Sequence, residues 1–231
     1  NVYFSYSNDR QVLSNISIDI SNNDKIAIVG RTGCGKTTLV NLLCRFYDVS
    51  KGAILINGNN INNYTLESLR DNIGYVMQDV VIFDGNIYDN INYANKDVQK
   101  EQIETICKKL RLHDKIISFS EGYELNLNKN QDLFSLGEKQ MINFARIMVE
   151  NPSVVILDEI TSSLSYENEE LVKNAIKEIT KDKICFIIAH RLTTIKSCNK
   201  ILYMENGKIL EKGSHQELMD LKGKYYNLVE S

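Results

Sequence analysis

Residues Gly30-Arg31-Thr32-Gly33-Cys34-Gly35-Lys36-Thr37-Thr38 follow the apolar run Ile26-Ala27-Ile28-Val29 and precede an apolar-rich segment from Leu39 to Phe46. A buried strand, a G-x-x-x-x-G-K-T turn and a helix in that order leave few folds open. The glycines let successive backbone N–H groups converge on an anion, and the start of the following helix adds positive potential there. Lys36 is placed to reach the outer phosphates of a nucleoside triphosphate, and the Thr37 hydroxyl to hold Mg²⁺. The sequence therefore predicts a nucleotide site contacted by Arg31, Thr32, Gly33, Cys34, Gly35, Lys36, Thr37 and Thr38.

Composition removes several alternatives. The chain has 231 residues and a net charge of −3, with both signs mixed along its length. No basic stripe suggests a nucleic-acid partner. No run approaches the ~20 apolar residues of a membrane span. The start, Asn1-Val2-Tyr3-Phe4, has no initiator Met and no signal-peptide pattern, and reads as a cut from a longer polypeptide. The five cysteines are scattered without a C-x-x-C pair, which fits a reducing compartment better than a disulfide or zinc framework. Cys34, at a helix start two residues from Lys36, is either a reactive thiol or simply a small residue that fits the turn.

Periodicity divides the chain. Val2 to Tyr6 and Ile16 to Ile20 alternate as half-buried strands. Val154-Val155-Ile156-Leu157 and Ile184-Cys185-Phe186-Ile187-Ile188 are continuous apolar runs, expected of strands covered on both faces. Ile73 to Met77 is a further strand, and Asn206-Gly207 marks a hairpin between Lys200–Glu205 and Lys208–Glu211. From Asp79 to Glu150 helical spacing takes over, with Ile103, Ile106, Cys107 and Leu110 on one face and Met141, Phe144, Ala145 and Met148 on another. This pattern predicts an α-helical lobe over 79–150 inserted into an α/β core made of 1–78 and 151–231. The chain's one proline, Pro152, stops the last helix of the lobe.

Other residues carry candidate chemistry. Asp158 and Glu159 end a buried strand, where the first could support Mg²⁺ and the second could polarise water as a general base. His190 and Gln78 each follow a strand. Ligands bind at the C-terminal edge of parallel strands, but either residue could equally be structural. Tyr6 could stack on a base, although its spacing from Val2 and Phe4 favours a shared core face.

Together with Phe134-Ser135-Leu136-Gly137-Glu138-Lys139-Gln140, these segments resemble the nucleotide-binding domain of ATP-binding-cassette transporters from Val2 to Glu230. The resemblance implies a P-loop NTPase fold: a RecA-like core with a mainly parallel sheet, an N-terminal antiparallel β subdomain and an inserted helical subdomain. Tyr75-Val76-Met77-Gln78-Asp79 to Phe83, Asn86 to Ile91, Ala189-His190-Arg191-Leu192 and Glu211-Lys212-Gly213-Ser214-His215 are similar to exporter-type multidrug and peptide transporters. The implied cofactors are ATP and Mg²⁺, with Thr37, Gln78 and Asp158 toward the metal. Glu159, His190, Lys36 and Gln78 become the catalytic set, with His190 at the γ-phosphate and Tyr6 on the adenine. Ser135, Gly137 and Glu138 would face the nucleotide of a second such domain in a head-to-tail dimer. A transmembrane domain upstream would hold the chain at the cytoplasmic face of a membrane.

The resemblance implies an ATPase motor. A weakly hydrolysing gate and a soluble non-transport cassette are the alternatives. Three segments depart from the family pattern. Leu136 stands where L-S-G-G-Q has a glycine, and a leucine there resists positive φ, so the signature is either weakened or merely drifted. Ser162-Ser163-Leu164-Ser165 lacks the usual final aspartate, and Asn128-Lys129-Asn130-Gln131 replaces G-E-x-G.

Overall fold

The computed structural model describes all residues except 8, 9, 78, 95, 96, 159–165, 190 and 231, and leaves aside the side chains of 166–169. In chain order, β1 (Val2–Ser5) and β2 (Gln11–Ile16) form an antiparallel ribbon, and β3 (Lys25–Val29) leads into α1 (Lys36–Leu43). The short pair β4 (Leu55–Ile56) and β5 (Asn59–Asn60) comes next, then α2 (Leu66–Arg70) and β6 (Ile73–Val76). Four helices follow: α3 (Ile87–Ile91), α4 (Lys100–Lys109), α5 (His113–Ile117) and α6 (Leu136–Glu150). The chain returns through β7 (Val154–Asp158), α7 (Tyr166–Ile179), β8 (Ile184–Ile188) and α8 (Leu192–Lys196). It closes with β9 (Lys200–Glu205), β10 (Lys208–Gly213), α9 (His215–Leu221) and α10 (Lys224–Glu230).

The central sheet has the order β10-β9-β3-β8-β7-β6, parallel throughout except for the β9–β10 hairpin. Its continuous apolar runs are explained by burial on both faces. Ala27, Val29, Val155, Leu157, Cys185 and Ile187 join the core shared with α3–α7. Their neighbours Ile26, Ile28, Ile156, Phe186 and Ile188 pack on α1 and the β1–β2 ribbon. Each strand thus presents one apolar set to each layer, at about 25 cal/mol per Å² of apolar surface removed from water.

Some expected elements move. The second N-terminal strand is Gln11–Ile16, and residues 17–20 are not strand. Pairing with β1 and the burial of Leu13 and Ile16 decide this, because alternation alone does not fix which stretch finds a partner. The run around Ala53–Ile56 shortens to two exposed residues, and α8 had no sequence signal. The end of α6 agrees with the proline argument, since Asn151 turns left-handed at φ 47° before Pro152.

Asp24 ties this sheet together at the entry to β3. Its carboxylate accepts hydrogen bonds from the Ser21 amide at 2.7 Å, Asn199 Nδ2 at 2.8 Å and Lys200 Nζ at 2.5 Å. Burial alone would raise its pKa, but Lys200, the Ser21 amide and Asn199 outweigh burial and hold it below the usual value. A lowered carboxylate contributes stability above its unfolded pKa and loses it as pH falls through the folded one. The advantage of wild type over Asp24→Asn in thermal melts is therefore expected to be full above about pH 5 and to vanish in stronger acid. A gap that stays constant down to about pH 2 would contradict this linkage.

Candidate nucleotide site

The loop after β3 is shaped by its glycines and by a distant hairpin. Gly35, at φ 109°, precedes α1 in a conformation that side-chain-bearing residues avoid, and a Cβ there would lie 2.7 Å from Leu13. The β9–β10 turn, Asn206-Gly207, props the loop from behind. The Gly207 amide donates to the Cys34 carbonyl at 3.0 Å, and the Ser14 amide donates to the Gly207 carbonyl at 2.8 Å. A Cβ on Gly207 would meet the Val12 carbonyl oxygen at 2.0 Å, so only glycine permits this approach.

The start of α1 differs from those of α3, α6 and α9. It has no side-chain cap and no acidic residue in its first turn, whereas α3, α6 and α9 each begin with a capping box. Lys36 is buried and folds back, donating from Nζ to the carbonyls of Gly30 at 2.9 Å and Arg31 at 3.2 Å. Arg31, Thr32, Gly33 and Thr37 are exposed around this helix start, and Thr38 is buried behind it. Cys34 is buried among Leu13, Val40 and Met204, which favours the small-residue reading over the reactive thiol.

Tyr6 departs from the core position its spacing suggested. Val2 and Phe4 are buried, but Tyr6 lies past the end of β1, 51% exposed. Its hydroxyl pairs with Thr38 Oγ1 at 3.2 Å, and its ring meets Phe4 and Tyr47 edge-on, with centroids 4.8 and 5.0 Å away. Half of the residue stays exposed beside the loop, which leaves aromatic surface for a flat ligand.

Asp158 ends β7, opposite Ile188 of β8, and β8 itself pairs with β3. The strands leading to Gln78, Glu159 and His190 finish on the same sheet edge as the loop. Those three residues lie outside the described residues, as does Ser165. The Asp158 carboxylate accepts a hydrogen bond from the Tyr75 hydroxyl at 2.9 Å. Burial, with the Asp158 charge beside it, pushes the Tyr75 phenol above its ordinary range and keeps it a donor. Motif spacing carried no signal for this pair, 83 positions apart.

Ser135, Gly137 and Glu138 lie at the start of α6, in the helical lobe. Ser135 is the N-cap: its Oγ accepts from the Glu138 amide at 3.3 Å, and Glu138 Oε2 accepts from the Ser135 amide at 2.7 Å. Lys115 also reaches Glu138 Oε2 at 2.7 Å. Burial would raise the Glu138 carboxyl, but Lys115 and Ser135 hold it below the usual range. Its carboxylate is thus engaged within the lobe, while Gly137 is buried in the first turn. Leu136 is the first helical residue and has no positive φ, so its side chain costs no backbone strain. It projects outward, 48% exposed. The Asn128–Gln131 loop is held by side-chain amides, with Gln131 Nε2 donating to Asn128 Oδ1 and Asn128 Nδ2 to Asp84.

A buried polar lock, also missed in the sequence, joins α6 to the loop after β6. Arg146 donates to the Asn90 carbonyl at 2.7 Å, Asn90 Oδ1 at 2.9 Å and the Val81 carbonyl at 2.7 Å. Asn90 in turn bonds the amide and carbonyl of Phe83. Burial lowers the Arg146 pKa to about 10, still charged at neutral pH. Beside this lock runs an open groove of about 740 Å³, lined by Arg70, Tyr75, Met77, Val81, Phe83 and Tyr93 among others.

Residues 13–162 match the ABC transporter family. The chain is 42% identical over 229 residues to the putative multidrug export ATP-binding/permease protein YgaD of Bacillus subtilis, covering 99% of this chain and 40% of that protein. It is 40% identical to the mitochondrial iron-sulfur clusters transporter ABCB7 of Oryzias latipes, over 97% of this chain and 30% of that one. Among solved structures, a bacterial Atm1-family ABC exporter with ATP bound superposes with a TM-score of 0.91 at 34% identity, covering all of this chain and 40% of that one. The chain spans less than half the length of these relatives. It belongs to the ABC transporter family, as a nucleotide-binding domain of the exporter type.

Proposed function

We propose that the chain is the motor of an exporter, hydrolysing ATP and coupling that step to movement of a membrane-spanning partner. The observation that carries this reading is the uncapped start of α1, with buried Lys36 beside it, on the sheet edge that also carries Asp158. In this reading the N–H groups of Gly33 to Thr38 and Lys36 Nζ bind the phosphates, and Tyr6 stacks on the base. The oxygen donors Thr37 and Asp158 suit a hard cation, whose other ligands would be phosphate oxygens, Gln78 and water. Mg²⁺, when bound, supplies charge neutralisation at the β- and γ-phosphates. Glu159 accepts a proton from water as the water oxygen attacks the γ-phosphorus, and the bond to the bridging oxygen breaks. His190 orients the γ-phosphate.

The second half of each site would come from another such domain, placed head to tail. Ser135 and the Gly137 amide at the start of α6 would meet the partner's γ-phosphate, with Glu138 fixing Ser135 through the capping box. Several charge-assisted hydrogen bonds of ~1.5–3 kcal/mol each could supply the roughly 5.5 kcal/mol that shifts a closed dimer from 1:99 to 99:1. The groove beside Arg146 would seat a membrane-domain segment of the same transporter. More than half of each relative's length lies outside the region this chain matches, and one is named as a permease as well as an ATP-binding protein. In this reading the chain sits at the cytoplasmic face of a membrane, with 79–150 as the signature lobe and the rest as the ATP-binding core.

The direct test is binding. Lys36→Met removes a charge-assisted contact of ~1.5–3 kcal/mol, so ATP affinity measured by calorimetry is expected to fall about 10- to 150-fold. ATP-driven dimerisation in sedimentation should disappear with it. Undiminished binding, or a wild-type loop that stays empty at saturating ATP, would overturn the reading.

A further inference from the structure

We propose that Tyr75 is a positioning residue for Asp158, and that it links the metal side of the nucleotide site to the neighbouring groove. The proposal rests on the metal reading of Asp158 given above. Tyr75 of β6 pairs in register with Ile156 of β7, which puts Asp158 two residues further on and on the same face. The Tyr75 hydroxyl reaches Asp158 Oδ2 at 2.9 Å while the residue also lines the 740 Å³ groove.

A plain structural account is that a half-buried phenol needs any acceptor. Its choice of acceptor matters here, because a donor on Oδ2 occupies one lone-pair direction and sets the plane of the carboxylate. Groups that hold a metal-binding carboxylate in this way commonly change metal affinity or activity 10- to 100-fold when removed.

The ring of Tyr75 belongs to a larger aromatic cluster. Its centroid lies 6.3 Å from that of Phe46, with the ring planes tilted by 40°, and the Arg70 guanidinium lies over the Phe46 ring, 5.2 Å from its centroid. Arg70 also donates to the carbonyls of Arg45 at 3.2 Å and Cys44 at 3.5 Å, just past the end of α1. One end of this cluster therefore rests on Asp158 and the other on the carbonyls that follow α1, the helix whose first residue is Lys36. Both Arg70 and Tyr75 face the groove. A segment seated there would press on the two elements that hold the phosphates and the cation.

Tyr75→Phe keeps the ring and its contact with Phe46 but deletes the hydroxyl. The readout is the factor by which Mg²⁺ tightens ADP binding, taken as the ratio of affinities in Mg²⁺ and in EDTA by calorimetry on this chain. That factor is expected to drop about tenfold in Tyr75→Phe, with affinity in EDTA unchanged. Arg70→Met, which leaves the Tyr75 hydroxyl and the phosphate loop in place, is expected to lower it about two- to threefold through the cluster, as an outer contact of modest effect. If Asp158→Asn loses the Mg²⁺ effect while Tyr75→Phe keeps it, the positioning role is wrong. If Tyr75→Phe loses it and Arg70→Met does not, the link to the groove is wrong. If Asp158→Asn also leaves the factor untouched, the metal reading itself fails and takes this proposal with it.

Discussion

Glu159→Gln is expected to lower ATP turnover by roughly 100- to 10,000-fold while leaving ATP binding intact. The amide is close to the carboxylate in shape, so it disturbs neither the loop at Lys36 nor the strand that ends at Asp158. It lacks a basic oxygen, and a water attacking the γ-phosphorus then has nowhere to place its proton. Because binding survives and cleavage does not, the closed dimer should persist in ATP, visible as a doubled mass in light scattering. Phosphate release measured beside wild type decides the point. Equal rates would exclude Glu159 as the base and favour a nucleotide-gated module in which closure, not cleavage, is the working step.

The second large effect is on stability. Arg146→Met fills much of the same volume but removes donors to two carbonyls and to the Asn90 amide oxygen. Asn90 Oδ1 keeps the Phe83 amide, but the Asn90 and Val81 carbonyls lose the guanidinium, and an acceptor left buried without a partner costs about 1–3 kcal/mol, partly relieved by local relaxation. A net loss of about 3 kcal/mol is expected. For a domain of this size that lowers Tm by roughly 6–12 °C. The loop that carries Val81 and Phe83 should also become a proteolytic site, since Arg146 and Asn90 are what pin it to α6. Asn90→Ala with Arg146→Met should cost less than the two single changes summed, because both break one network. A Tm within 1–2 °C of wild type would mean that water replaces the guanidinium without loss.

These expectations also separate two kinds of information in the chain. Local chemistry was legible from residue order. The G-x-x-x-x-G-K-T spacing announces an anion-binding turn, because bending and charge are properties of neighbouring residues. The apolar runs at Val154–Leu157 and Ile184–Ile188 announce doubly covered strands, and Asn206-Gly207 announces the hairpin that forms at φ 50° and 73°. Pro152 and Asn151 announce the end of α6.

What only the tertiary structure decided is which distant groups share a space. Tyr6 shares the alternation of Val2 and Phe4 yet stands exposed, because β1 ends at Ser5 and the ring turns to Thr38 and Tyr47. The same hairpin turn that sequence marks so clearly gives no hint that its Gly207 amide will hold the Cys34 carbonyl. Tyr75 meets Asp158 only because β6 and β7 pair in one register, and Arg146 meets Asn90 only because α3 packs on α6. Residue spacing sets conformation over a few positions. Contacts across 56 or 83 positions follow from how whole faces bury, and that is settled by the assembled core.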